Sequence, residues 1–311
     1  METLFLDPTL ILIIAAFAGF FMAFGIGAND VANAMGPSVG SKAITFKQAI
    51  FIAAIFEFLG AYLAGGEVTA TIRKGIVDPS LYDNNTDIFI ICMLSSLLAA
   101  CTWLFGSSQK GWPVSTTHSI VGAIVGFVII SLGFEAVSWS KVGNIASSWV
   151  VSPIISGAMS FFIFLSAKKL ILDRTNPGQA AISLIPIYSF FVAVVIALVT
   201  ARKGLKHVGL PLSDGEVLLV TLVFGLIVSI ITAIFLNLNA KKIKEHGVES
   251  AFAILMIVTA CSMAFAHGSN DVANAIGPMS AIISVVSEAV SYTHLRAHET
   301  DSYLVCRLLL E

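Results

Sequence analysis

Charge is what this sequence has least of. Only 12% of its 311 residues are Asp, Glu, Lys or Arg, and the formal net charge is −2. No Lys- or Arg-rich tract occurs, so nucleic acid is excluded as a partner. No Lys or Arg precedes Lys42 either, and a removable signal peptide would lack its basic start. Cysteine is sparse: Cys92, Cys101, Cys261 and Cys306 lie scattered, without metal-ligand or disulfide spacing. The first three sit in apolar runs, where a small buried hydrophobe is the expected role. An activated nucleophile and a general-base pair are also missing, so a membrane enzyme cleaving phosphoesters is the weak alternative. Cofactors are not expected, nor is a metal beyond a transported cation.

What fills the space is oil. The chain is 57% hydrophobic, with a mean hydropathy of +0.92, which points to an integral membrane protein. A spanning helix needs roughly 20 apolar residues. Eight such stretches are legible, near 9–28, 46–65, 87–106, 114–133, 144–167, 181–200, 216–238 and 251–267, with a further apolar run to about 290. Lys and Arg divide too evenly among the loops to fix the orientation.

Two polar elements interrupt this background, and they are copies. Met22-Ala-Phe-Gly-Ile-Gly-Ala-Asn-Asp-Val-Ala-Asn-Ala-Met-Gly-Pro37 returns as Met263-Ala-Phe-Ala-His-Gly-Ser-Asn-Asp-Val-Ala-Asn-Ala-Ile-Gly-Pro278, with twelve of sixteen residues identical. An ionisable group at mid-membrane costs about 2.5–3.5 kcal/mol or more. Duplicated halves meeting at a polar, glycine-interrupted helix are the sequence mark of a secondary transporter. On a helix, Asn29, Asp30 and Asn33 share a face, and Gly36-Pro37 is expected to end or break it. Carboxylate, amide and freed carbonyl oxygens there suit a small cation.

A second constellation is Gly111-Trp-Pro-Val-Ser-Thr-Thr-His-Ser-Ile-Val-Gly-Ala-Ile-Val-Gly126. Pro113 suits the first helical position, which puts Ser115, Thr116 and Thr117 in the opening turn. N–H groups, the positive helix end and three hydroxyls then make an oxyanion cradle without a cationic side chain. Ser and Thr also simply cap helices. Gly122 and Gly126 form a Gly-x-x-x-Gly pair that permits close helix packing. Glu57, alone in an apolar helix, must face a cavity or a partner and is the candidate for coupling. His118 and His267 adjoin the motifs and read as hydrogen-bonding helix residues more than as proton carriers. Arg73 and Lys74 read as loop charges at the membrane surface.

Together these residues resemble the inorganic phosphate transporter (PiT) family. The resemblance rests on Gly27-Ala-Asn-Asp-Val-Ala-Asn-Ala34, Gly268-Ser-Asn-Asp-Val-Ala-Asn-Ala275, Gly40-Ser-Lys42, Ile55-Phe-Glu57, Thr71-Ile-Arg-Lys-Gly-Ile76 and Pro113-Val-Ser-Thr-Thr-His118. It implies symport of inorganic phosphate with Na⁺ or H⁺ by a multi-pass protein of the plasma membrane, in a lipid bilayer and often as a homodimer. Its implied fold is an all-α polytopic transmembrane bundle with inverted repeats and broken or re-entrant helices. By the same resemblance, Asn29, Ser115, Thr116, Thr117 and Asn270 bind phosphate. Asp30, Asn33, Asp271 and Asn274 bind the cation, and Glu57 couples the two. Neutral hydroxyl and amide donors accept sulfate as readily, so another tetrahedral oxyanion is the alternative cargo.

The expected organisation is a first repeat over 1–240, a loop over 241–250 and the opening of a second repeat over 251–290. Residues 291–311 read as a non-native tail, because apolar periodicity collapses there. The spacing from Asn29 to Ser115, carried over to Asn270, falls beyond Glu311. The second repeat is therefore incomplete, and for these residues alone an inactive fragment is the expectation.

Overall fold

The structure, a computed structural model, describes residues 6–66, 69, 76–82, 85–204, 212–241, 243 and 247–287. The proposed tail at 291–311 and the loop charges Arg73 and Lys74 lie outside them. The described residues are almost wholly helical: α1 (Pro8–Gly40), α2 (Phe46–Ala64), α3 (Thr86–Gln109), α4 (Thr116–Leu132), α5 (Trp139–Ala167), α6 (Pro177–Val199), α7 (Asp214–Leu238), α8 (Glu249–Asp271) and α9 (273–287). Strand-type pairing is confined, among these residues, to an isolated bridge between Val77 and Val137. In hydrocarbon every backbone N–H and C=O must find its partner inside the chain, and a helix does this locally.

Among the described residues, seven helices are long and apolar enough to cross a bilayer, with α8 and α9 counted as one run of 39 residues. The eighth stretch, near 114–133, becomes α4, only 17 residues long and so ~26 Å. It starts late because Ser115 caps it, accepting the His118 N–H at 3.3 Å. Pro113 therefore precedes the helix rather than opening it. Ser is the better cap, and a proline pushes the residue before it out of helical geometry. Gly133, at φ 94°, ends α4.

The expected break at Gly36-Pro37 does not occur. α1 runs through Pro37 to Gly40. Proline forfeits one backbone bond, and here it sits a single turn from the helix end, where little helix remains to disrupt. The stop comes at Lys42, whose positive φ of 60° allows Lys42 N–H to reach Val39 O and Ala43 N–H to reach Ser38 O. In the second copy Pro278 lies inside α9, and the irregular residue is Val272, between α8 and α9.

The chain forms two compact units that interleave in sequence. Of the described residues, the first takes those up to Ile26, those within Thr69–Ser138 and those from Asn274 on; the second takes those within Gly27–Val68 and Trp139–Ala273. In the first, α3 packs on α4, and the Cys101 thiol donates to Phe21 O at 3.1 Å. α4 buries Ile120, Val121, Ile124 and Val128. Gly122 and Gly126 lie off that face, and a Cβ on either would meet open space among the described residues. Among the described residues, the Gly-x-x-x-Gly pair is thus not a close-packing seam.

The second unit does have such a seam. α2 packs along α8, α6 along α7, and α8 on α6. One core is nearly all alanine (Ala34, Ala49, Ala53, Ala260 and Ala264, with Met35 and Ile44), as small residues allow between membrane helices. A second core gathers Ile171, Ala181, Ile182, Ile185, Leu236, Ile243 and Ala251. α5 buries none of its residues.

Candidate functional site

Two glycines set the geometry of the second unit. A Cβ on Gly60 would run into the Phe265 carbonyl, and one on Gly268 into the Glu57 carbonyl. Backbone therefore meets backbone where α2 crosses α8, and side chains beside the crossing are pressed together. Glu57 and His267 are two of them. The His267 Nδ1 and Glu57 Oε1 stand 3.1 Å apart, with both side chains largely buried.

His267 also faces Asp271 one turn on. Its Nε2 lies 3.1 Å from Asp271 Oδ2, close enough for charge attraction but outside hydrogen-bond geometry. Asp30 completes the group: one donor atom each from Asp30, His267 and Asp271 fall within 4.8 Å of one another. Asp30 is 7% exposed, and its Oδ1 accepts from Asn29 Nδ2 at 3.0 Å and Asn33 Nδ2 at 3.4 Å. Three carboxylates thus surround one imidazole. That much acid in an apolar interior calls for compensating positive charge.

The two signature acids, separated by 241 positions in sequence, share this cluster, and Glu57 joins them through His267. The histidine itself was not among the expected site residues. Its signal was present: the first copy has Ile26 at the matching position, and His267 lies four residues before Asp271 on the same helical face. Asn270 is exposed and turns its amide back onto Ala266 O at 2.9 Å.

The first unit holds the hydroxyl cradle. Ser115 is exposed, Thr116 is buried, and Thr117 lies between the two extremes. Asn274, fully buried, donates from Nδ2 to Thr117 Oγ1 at 3.1 Å. A residue of the second signature thus reaches the start of α4, where helix N–H groups and the positive dipole end favour an anion.

A model of the phosphate transporter family matches residues 26–309. The chain is 52% identical to a Haemophilus influenzae protein named as a phosphate permease, over 88% of this chain and 67% of that one. It is 38% identical to the Arabidopsis thaliana protein "Inorganic phosphate transporter 2-1, chloroplastic", over 88% of this chain and half of that one. A solved structure titled "The sodium-dependent phosphate transporter" superimposes with a TM-score of 0.81 at 38% identity, over 89% of this chain and 68% of that one.

Proposed function

Because this chain belongs to the phosphate transporter family, a family of multi-pass membrane transporters and not of enzymes, we propose that it carries inorganic phosphate across the plasma membrane by symport with a monovalent cation. Sodium is the favoured cation, since the solved relative is titled sodium-dependent and the cluster offers hard oxygen ligands; H⁺ is the alternative. The observation that carries the reading is the convergence of Asp30 and Asp271 on His267.

In the mechanism, a cation first occupies the oxygens around Asp30 and Asp271. Phosphate then binds at the Ser115–Thr117 helix start. Asn33 holds Asp30 in place from its own helix. Asn274, three residues past Asp271 in the chain, holds Thr117, so the second signature serves the acid cluster and the hydroxyl cradle within a single turn of sequence. Cation and anion together neutralise the loaded state and lower the barrier to exposing it on the other side. Glu57 couples loading to that movement through His267.

Phosphate uptake into proteoliposomes carrying the full-length protein, with Na⁺ and proton gradients imposed separately, tests this. Uptake is expected to follow the sodium gradient and to vanish in Asp30→Asn. Unchanged uptake in that variant would refute the assignment. Competition by sulfate reads the anion selectivity in the same assay.

A further inference from the structure

The first unit holds a feature to which the proposed mechanism assigns no role. A groove of about 530 Å³ follows the C-terminal half of α3. Its lining residues recur every three or four positions from Leu98 to Lys110, hence on one helix face, with Trp112 closing the end. Gly106 forms part of the floor, and a Cβ there would meet nothing within 4 Å among the described residues. From Leu98 to Lys110 the helix rises ~18 Å, slightly more than one leaflet's share of a hydrocarbon core about 30 Å thick.

The two ends of the groove differ in chemistry. Towards Leu98 the walls are apolar, and the Thr102 hydroxyl is satisfied by Leu98 O at 2.7 Å. At the other end stand Trp103 and Trp112, both half-exposed, with ring centroids 6.5 Å apart. Half-exposed tryptophans of this kind mark the headgroup level of a bilayer. The Lys110 Nζ lies 4.6 Å over the Trp112 ring and is the sole Asp, Glu, Lys or Arg between Ile88 and Phe134. Ser107, 2% exposed, lines the same end with a hydroxyl that has no partner among the described residues. Its carbonyl accepts the Lys110 and Trp112 N–H groups at 3.1 and 2.9 Å, so the cation, the ring and the hydroxyl are held on one hook.

We infer that this groove binds one anionic phospholipid, its phosphodiester on Lys110 and Ser107 and one acyl chain along the face from Gly106 to Leu98. A free phosphate ion would use the polar end and leave the ~18 Å apolar trough unexplained. The lone positive charge selects an anionic over a zwitterionic headgroup.

Phosphatidylglycerol with brominated acyl chains, titrated into the detergent-solubilised full chain, tests this by quenching tryptophan. Saturable quenching is expected, weakened about fivefold in the exposed-site variant Lys110→Gln and removed in Gly106→Leu, which fills the trough. Brominated phosphatidylcholine should bind about fivefold more weakly than phosphatidylglycerol. Circular dichroism establishes that both variants keep their helices. Quenching that rises linearly with lipid, or that is the same in wild type and variants, overturns the proposal. Displacement of the lipid by excess inorganic phosphate also overturns it and assigns the polar end to the free ion.

Discussion

Gly268 and Gly27 open the two copies of one motif, yet they do different work. Gly268 lets α8 lie against the Glu57 backbone, whereas a Cβ on Gly27 would meet open space among the described residues. Gly268→Ala should therefore cost about 1–3 kcal/mol of overpacking and separate Glu57 from His267, with phosphate uptake lost. Gly27→Ala should leave thermal unfolding in detergent nearly unchanged, and equal unfolding shifts in the two variants would contradict this reading. The sequence made Glu57 conspicuous as a carboxylate needing a partner. It could not name the partner, because Glu57 and His267 are 210 residues apart and meet only through a helix crossing made by two glycines. The signature acids were legible by repetition alone; the imidazole, present in one copy, was not.

At the scale of elements, α4 shows how one residue serves fold and site together. The Ser115 oxygen accepts the His118 N–H, and its hydroxyl hydrogen is still available to an anion. Aspartate caps a helix as well as serine does but carries a negative charge. Ser115→Asp should therefore preserve helicity by circular dichroism while abolishing phosphate uptake. Helix loss in that variant would show that the cap geometry differs from the one described. The existence and order of the helices could be read from apolar run length. Their ends could not, since Ser115 outcompetes Pro113 for the start of α4 and α1 absorbs Pro37 in its last turn.

Across the whole molecule, the surfaces divide into those that meet protein and those that meet lipid. Ile185 is fully buried in the second unit's core, and Ile185→Ala should cost about 2–5 kcal/mol. Phe162, on the helix that buries nothing, is 67% exposed, and Phe162→Ala should shift stability by about 0.5 kcal/mol or less. Denaturation of the two variants in the same detergent compares them directly; a larger loss at Phe162 would mean that α5 is covered by protein.

The crossing of α2 and α8 joins residues from opposite sides of the stretch between α7 and α8. Glu57 and Gly60 lie before it, His267 and Gly268 after it. Severed between α7 and α8, the polypeptide would yield two fragments whose mating faces are already cut to fit, each with one signature acid and neither with a full set. The two motif copies are tied through that crossing, so a change on either side of it is felt at the shared seam.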